Sequence, residues 1–233
     1  ILRKNSIVEE GKCFQRYCLE NEDQIDIIST RNSVFGYLAI QGGFKVDKIW
    51  NSCSINTKAK VSPNNGEKFS YGEKIYIKKQ RVEKFLERGI DYKFLSDKTI
   101  RVVKGTNYNY FSEEAKNNFF NEEYLVTNLS DRMGMRLEGP KLENIVNTNI
   151  KSEGLVKGVI QVPADGKPII LFSDHGTIGG YPKIAVVISA DCDKAAQLIP
   201  GSKINFKEVN LLQAENFFKD YFNETKKYIE QIK

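Results

Sequence analysis

The chain has 233 residues, of which 40% are hydrophobic and 28% are charged, and its formal net charge is +5. These values are typical of a soluble globular protein with a hydrophobic core, and the length suits one large domain or two small ones. They argue against nucleic acid or a membrane as the partner, because no block of like charges and no run of about 18 apolar residues occurs.

The first part of the chain, residues 1–95, has the pattern of short strands separated by turns. Candidate strands lie at Gln24–Thr30, Val34–Gly43 and Lys74–Lys78. The dipeptide Asn65-Gly66 is a strong turn signal before the last of them. Residues 81–98 are charged and have no clean hydrophobic period, so we expect a domain boundary near residue 95 and a second domain over residues 96–233.

The second part combines many strand-like segments with glycine and proline turns and only two candidate helices. Strand-like segments occur at Thr99–Gly105, Glu123–Leu129, Lys167–Phe172, Val186–Ser189 and Gly201–Val209. One helix is predicted over Phe111–Phe120 with Ser112 as its N-cap, and an amphipathic helix is predicted in the tail after Val209. Many short strands with few helices predict a mainly β fold with a few helices (α+β), built as a closed or nearly closed β-barrel.

The cysteines and the single histidine do not form a metal-binding pattern. No Cys-x-x-Cys pair occurs among Cys13, Cys18, Cys53 and Cys192, and His175 alone cannot complete a zinc set. No metal site is therefore predicted. Unclustered cysteines in a chain of this size are typical of reduced thiols, which favours a cytoplasmic location. The chain also lacks a P-loop, so it is not expected to hydrolyse ATP unaided.

Two arginines lie close together in the segment SDRMGMRLEGP, Ser130–Pro140. Arg132 and Arg136 are about one helical turn apart, or on one face of an extended loop. A guanidinium group suits bidentate capture of a carboxylate, so this pair could bind an acidic ligand. In the alternative interpretation the arginines pair with Asp131 and Glu138 and hold the loop closed.

The segment SDHGTIGGYPKIA, Ser173–Ala185, is longer than a hairpin connection between two apolar runs requires. Its reactive or polar side chains are Asp174, His175, Thr177, Tyr181 and Lys183. His175 is either a hydrogen-bonded turn residue or a general acid or base, and Gly179 and Gly180 would let backbone N–H groups approach a ligand. Gln161, inside an apolar strand, must find either structural partners or a ligand. Together these groups favour a site for a small anionic ligand at the mouth of the barrel.

Three ordered blocks of sequence resemble a known family. They read DRMGMRLEGP, SEGLVKGVIQVPADGKPIILFSDHGTIGGYPKIAVVISAD and AQLIPGSKINF, and they span about Ile100–Phe206. They resemble the carboxyltransferase-like family that includes the C-type subunits of 5-oxoprolinases and allophanate hydrolase subunit 2, and Gly36–Lys60 resembles its middle region more loosely. The resemblance implies cyclophilin-like β-barrel domains. It also implies that the first domain is incomplete at its N-terminus, because the family's usual opening motif is not present and Ile1 fits a position inside that domain.

The resemblance further implies an enzyme that works only in a complex. The expected role is that of the C-type subunit in an ATP-dependent 5-oxoprolinase, which opens 5-oxo-L-proline to L-glutamate together with an A-type subunit and a KipI-like, B-type subunit. ATP would be bound mainly through that complex, and the substrate is a small anionic amide. One alternative is a carboxyltransferase subunit of a urea carboxylase or allophanate-type system that uses carboxybiotin. Another is a non-enzymatic regulator that binds a KipI-like partner.

The resemblance also suggests roles for individual residues. The expected catalytic residues are Asp174, His175 and Lys183. The expected substrate-binding residues are Arg132, Arg136, Gln161, Thr177, Gly179, Gly180 and Tyr181. An arginine would bind the substrate carboxylate, and backbone amides near Gly179 and Gly180 would support an oxyanion. The family usually has polar side chains where this chain has Gly176, Ile178 and Met135, and an amide where it has Asp131, so the resemblance does not fix the substrate.

Overall fold

A computed structural model describes residues 1–4, 7–61, 63–78, 88–92, 97–146 and 149–231. Contacts between residues divide the chain into two compact units. We call Ile1–Phe35 together with Glu87–Lys233 the barrel unit, and Gly36–Leu86 the inserted unit. The division into domains at residues 1–95 and 96–233 stays a prediction, because residues 81–87 and 93–96 of the boundary region lie outside the described residues.

The described residues contain twelve short strands and three α-helices. The strands are β1 (Leu2–Lys4), β2 (Ile7–Glu9), β3 (Gln24–Ile25), β4 (Thr99–Lys104), β5 (Tyr124–Ser130), β6 (Gly134–Glu138), β7 (Glu153–Gly154), β8 (Val159–Gln161), β9 (Ile169–Leu171), β10 (Ile178–Gly179), β11 (Lys183–Val187) and β12 (Lys203–Glu208). The helices are α1 (Glu113–Asn121), α2 (Cys192–Ala196) and α3 (Leu211–Gln231).

Seven strands of the barrel unit form a closed barrel in the order β11-β4-β12-β5-β6-β9-β8, and the pairing of β8 with β11 closes it. All of the pairs are antiparallel except β12 with β4, which run parallel from Asn205↔Thr99 to Glu208↔Val102. The register between β11 and β8 shifts between Lys183 and Ala185. The predicted fold class, a mainly β barrel with a few helices, is confirmed.

The strands form because apolar residues alternate along them and fill the barrel. On β4, Ile100 and Val102 are fully buried, and on β12 Ile204 and Phe206 are buried. Helix α1 adds Phe119, whose ring stacks on that of Phe206 at a centroid distance of 4.4 Å. Each such side chain contributes about 1.5–3 kcal/mol through burial.

Helix α1 begins as the sequence predicts. The Ser112 hydroxyl accepts a hydrogen bond from the Ala115 N–H at 3.1 Å, so Ser112 is the N-cap. Glu113 and Glu114 in the first turn face the positive end of the helix dipole. The helix end is thereby fixed beside the barrel, where Phe119 can enter the core.

Helix α3 lies outside the barrel and packs against it along one face. Its residues Ala214, Phe217 and Tyr221 contact a small apolar cluster made of Ile188, Ala190 and Val209. The Arg101 guanidinium lies 3.9 Å from the centre of the Phe217 ring and is itself bound by the buried carboxylate of Asp191. The Tyr221 hydroxyl donates to Asp193 at 2.6 Å. Among the helices of the described residues, none has the length and apolar composition needed to cross a membrane.

The inserted unit has little regular structure. The predicted strands at Val34–Gly43 and Lys74–Lys78 are wrong, since no strand of the described residues lies in either segment and Ile77 forms only an isolated bridge with Phe44. Because no sheet forms in these segments, their aromatic side chains are not buried; Tyr37, for example, is 87% exposed. The predicted turn is confirmed, since the backbone turns at Asn64–Gly66 with a positive φ at all three residues.

Candidate functional site

The barrel unit contains a pocket of about 410 Å³ where β6, β8 and β9 meet the segment after β9. Its apolar lining consists of Leu129, Met133, Leu155, Ile169, Leu171 and Ile178. Its polar lining consists of Asp131, Arg136, Gln161, His175 and Tyr181, and four glycines complete it: Gly134, Gly176, Gly179 and Gly180. A mostly apolar cavity with a few convergent polar groups is typical of a small-molecule site.

The structure brings most of the predicted site residues to this pocket. Those that line it are Arg136, Gln161, His175, Gly179, Gly180 and Tyr181. The remaining four, Arg132, Asp174, Thr177 and Lys183, lie next to it in the same segments but do not line it. The catalytic and binding roles given to all ten residues stay predictions.

Arg132 forms a bidentate ion pair with Asp174. Its Nε donates to Oδ2 at 2.8 Å and its Nη2 donates to Oδ1 at 3.0 Å, and the Asp174 N–H donates to the Arg132 carbonyl at 2.9 Å. Arg132 therefore holds the loop closed, as in the alternative interpretation, but its partner is Asp174 and not Asp131 or Glu138. Asp131 instead accepts the N–H groups of Met133 and Gly134 at 2.8 and 3.2 Å and stabilises the turn between β5 and β6.

Arg136 reaches the pocket from β6. Its Nη1 donates to Asp165 at 3.0 Å, and both side chains are exposed, by 36% and 42%. Glu138, the partner suggested by the sequence, binds Lys167 at 2.8 Å. An exposed ion pair of this kind stabilises little. The Arg136 guanidinium can therefore exchange Asp165 for an anion in the pocket at low cost.

One wall of the pocket is a two-stranded ribbon, residues 150–155 and 177–181, which we call the strap. Strands β7 and β10 form it by pairing Ile178 with Gly154 and Gly179 with Glu153, and backbone bonds from Ile150 to Gly180 and from Leu155 to Thr177 extend it. The strap explains why the connection from β9 to β11 is longer than a hairpin turn.

Gly179 and Gly180 of the strap are closely packed, Gly179 against side chains and Gly180 against backbone. A Cβ on Gly179 would lie 2.8 Å from the Gln161 Nε2, and one on Gly180 would lie 2.9 Å from the Ile150 carbonyl oxygen. The buried amide of Gln161 donates to the Tyr181 carbonyl at 3.3 Å. Gln161 thus has a structural partner, and its amide attaches the strap to β8.

His175 has one ring nitrogen engaged by the backbone. Its Nδ1 lies 2.5 Å from the Gly176 carbonyl oxygen. A carbonyl only accepts, so this contact requires a proton on Nδ1, and in the neutral imidazole Nε2 is then the acceptor. A half-buried imidazole in that tautomer is suited to receive a proton from a group in the pocket.

Lys183 is buried behind the strap. Its Nζ lies 2.5 Å from Glu153 Oε2 and 3.4 Å from Asn107 Oδ1. Neither partner was identified from the sequence. The acid in the Ser-Glu-Gly turn at Ser152–Gly154 was a weak signal for Glu153, whereas nothing in the sequence pointed to Asn107. Within the part of the chain that the structure describes, no group of three or more histidine, cysteine or acidic side chains could hold a metal ion.

The comparisons with known proteins agree on one family. The family described as carboxyltransferase domain, subdomain A and B, matches residues 7–208. The chain is 33% identical over 196 residues to the 5-oxoprolinase C subunit of Escherichia coli K12, and 33% identical over 201 residues to that of Haemophilus influenzae Rd. These alignments cover 84% and 86% of this chain but 62% and 64% of the relatives, so the chain spans less than two thirds of their length.

A solved structure shares the fold. The crystal structure of K. lactis urea amidolyase superposes with a TM-score of 0.68 at 25% identity. The superposition covers 79% of this chain and 13% of that much longer protein.

Proposed function

Because the chain belongs to the carboxyltransferase domain family, subdomains A and B, we propose that it is the barrel-bearing part of a C-type subunit of a cytoplasmic, ATP-dependent 5-oxoprolinase. In this role it acts with A-type and B-type partner subunits and opens 5-oxo-L-proline to L-glutamate. The proposal is supported by the similarity to 5-oxoprolinase C subunits along most of the chain. The observation that carries it is the pocket, in which one arginine and one histidine converge between apolar walls.

The pocket has the groups that a cyclic amide with a carboxylate needs. The guanidinium of Arg136 would bind the carboxylate of 5-oxoproline, since its present partner Asp165 is exposed and readily replaced. The methylene groups of the ring would contact Leu155 and Ile178 on the strap. Water is thereby excluded from one face of the lactam, which strengthens the polar contacts on the other face.

The reaction breaks the lactam C–N bond, adds a water oxygen to the carbonyl carbon and delivers a proton to the nitrogen. His175 Nε2 would accept the proton of the attacking water, because Nδ1 is held by the Gly176 carbonyl. Asp174, fixed by Arg132, would orient the His175 backbone at the pocket edge. The protonated His175 would then deliver that proton to the lactam nitrogen as the C–N bond breaks, so the proton passes through one group of this chain.

ATP does not fit the described residues that line this pocket. Among the described residues that line the pocket, Arg136 is the only arginine or lysine, and no glycine-rich phosphate loop precedes a helix in the sequence. A triphosphate needs several donors and a cation to neutralise it. We therefore assign ATP binding to the partner subunits, and no step on this chain passes through it.

A carboxyltransferase subunit that uses carboxybiotin is the second candidate. It is favoured by the structural similarity to urea amidolyase. The two functions differ in their companions, because carboxyl transfer requires a biotin carboxylase and a carrier lysine, whereas lactam opening requires the A-type and B-type subunits.

Reconstitution tests the proposal. The purified protein would be mixed with A-type and B-type subunits, 5-oxoproline and ATP, and glutamate and ADP would be measured. We expect glutamate only when all three proteins are present, and at least about 100-fold less with His175→Ala, the range typical of a lost acid–base group. No glutamate from the full mixture would refute the oxoprolinase proposal. Urea-dependent consumption of carboxybiotin would then establish the second candidate, and binding of the B-type partner without either activity would indicate a regulator.

A further inference from the structure

We infer that Glu153 is a positioning residue of the pocket: its carboxylate binds the buried ammonium of Lys183 and thereby fixes the strap that forms one pocket wall. The expected effect of Glu153 on substrate binding rests on the proposed function, whereas its effect on the position of the strap is independent of that function.

The Lys183 ammonium requires a counter-charge. Its side chain is only 5% exposed, whereas that of Glu153 is 46% exposed. Removing a charged amine from water is costly unless it is paired and hydrogen-bonded. Among the described residues, Glu153 is the only carboxylate within ion-pair distance of Lys183. Asn107 adds a second acceptor, but it is neutral.

Lys183 is itself held rigidly by the barrel. Its backbone N–H donates to Asn107 Oδ1 at 3.1 Å, and its carbonyl accepts the Asn107 N–H at 3.2 Å. It also begins β11, opposite Gln161 of β8. The position of the Lys183 ammonium is therefore set by the barrel, and the ion pair sets the position of the Glu153 carboxylate.

The strap has few other attachments to the barrel. Its strands β7 and β10 have two residues each, and a ribbon of that length is not stable alone. The described hydrogen bonds that attach it are the one from Gln161 to the Tyr181 carbonyl and, directly after the strap, the one from the Val162 N–H to the Pro182 carbonyl, both on the β10 side. Glu153 provides the attachment on the β7 side.

The pocket wall depends on that attachment. The strap supplies Leu155, Ile178 and Tyr181, with the two glycines Gly179 and Gly180, to the lining. Releasing Glu153 would let these side chains move away from Arg136 and His175. The Glu153 carboxylate does not line the pocket, so its loss should weaken substrate binding more than it slows the chemical step.

Amide hydrogen exchange tests the attachment without any assay of activity. In Glu153→Gln we expect the amides of residues 150–155 and 177–181 to exchange at least about tenfold faster, while those of β4 and β12 keep their protection. The matched control is Glu123→Gln, which breaks the exposed pair with Lys203 far from the strap. It should leave the strap unchanged. Unaltered protection of the strap in Glu153→Gln would overturn the inference.

A double variant separates loss of the attachment from destabilisation by the Lys183 ammonium, which has no counter-charge in Glu153→Gln. Glu153→Gln combined with Lys183→Met leaves no buried charge at this position, so the fold should be as stable as the wild type or nearly so. The strap should still exchange rapidly, since its attachment is gone. Restored protection of the strap in the double variant would show that the ion pair does not hold it.

Kinetics in the reconstituted complex test the consequence for the pocket. We expect Glu153→Gln to raise the KM for 5-oxoproline about tenfold and to change kcat less than about twofold, with Glu153→Asp in between. A tenfold fall in kcat with an unchanged KM would contradict a positioning role. Failure of the wild-type complex to make glutamate would refute the proposed function, whereas the exchange experiment would still decide the role of Glu153.

Discussion

At the level of single residues, Arg132 and Arg136 differ in what they can bind. Arg132 uses two nitrogens in a fork on Asp174, whose side chain is only 20% exposed. Bidentate geometry of this kind is among the stronger polar contacts in proteins. Arg136 is held by one bond to an exposed acid and lines the pocket. Arg136 is therefore the arginine whose guanidinium is available to an anion in the pocket, whereas Arg132 holds the loop.

We predict that Arg136→Ala raises the KM for 5-oxoproline. A lost charged hydrogen bond of about 1.5–3 kcal/mol corresponds to an increase of roughly 10- to 150-fold. Stability should change little, because the pair with Asp165 is exposed. Steady-state kinetics of the reconstituted complex provide the measurement.

The matched control for that variant is Lys167→Ala. Lys167 forms an equally exposed pair with Glu138 in the same part of the barrel but does not line the pocket. The KM of Lys167→Ala for 5-oxoproline should equal that of the wild type. An unchanged KM in Arg136→Ala would show that another group binds the carboxylate.

At the level of elements, helix α3 is attached to the barrel unit by polar contacts as well as by packing. The hydrogen bond from the Tyr221 hydroxyl to Asp193, together with burial, raises the pKa of Tyr221 to about 12. The folded state therefore retains the phenol proton more tightly than the unfolded chain, where the value is near 10. The corresponding stability is present below pH 10 and is lost as the pH rises towards 12.

We predict that the melting temperature of the wild type falls between pH 9 and 11.5 more steeply than that of Tyr221→Phe. The variant lacks the titrating group, and it should be less stable than the wild type at pH 8, where the hydrogen bond is intact. Tyr37→Phe, at an exposed position of the inserted unit, should follow the wild type. Parallel curves for wild type and Tyr221→Phe would mean that this hydroxyl does not stabilise the attachment of α3.

At the level of the whole molecule, the pairing of β4 with β11 in the closed barrel brings two backbones close together at Gly105. This residue follows β4, and a Cβ there would overlap the Lys183 carbonyl oxygen and lie 2.8 Å from the Ala185 nitrogen. The neighbouring β11 carries its register shift at this point. The strand ends can meet only because no side chain separates them.

We predict that Gly105→Ala lowers the free energy of unfolding by about 1–3 kcal/mol, as overpacking against a rigid backbone does. Urea unfolding would measure it. Gly154→Ala is the control, since nothing lies within 4 Å of a Cβ at that position. Equal stability of the two variants would show that the strand ends can separate without cost.

The parts of the fold that could be predicted from the sequence are those that depend on residues close together in the chain. The Ser112 cap, helix α1 and the tail helix follow from residues within one or two turns of each other, and the structure confirms them. The predicted strands of the barrel were recognisable for the same reason. The segments Val34–Gly43 and Lys74–Lys78 failed because a strand needs a neighbouring strand, which an alternating pattern does not provide.

The contacts of the candidate site depend on distant parts of the chain. Arg132 and Asp174 are 42 positions apart, Glu153 and Lys183 are 30 apart, and Asn107 and Lys183 are 76 apart. No local pattern connects such positions. The sequence therefore indicates which residue types gather near the pocket, whereas the barrel closure determines which of them become partners.

The parallel pairing of β4 with β12 also governs when this protein can fold during its synthesis. Asn205 pairs with Thr99, so β4 emerges from the ribosome about 100 residues before its partner. At roughly 5–20 residues per second, that delay is on the order of 5–20 s. During it, Ile100 and Val102 lack the strand that later covers them. The nascent chain therefore exposes apolar strand surface for that interval, the condition in which incomplete chains tend to aggregate, and slower translation before residue 205 would lengthen it.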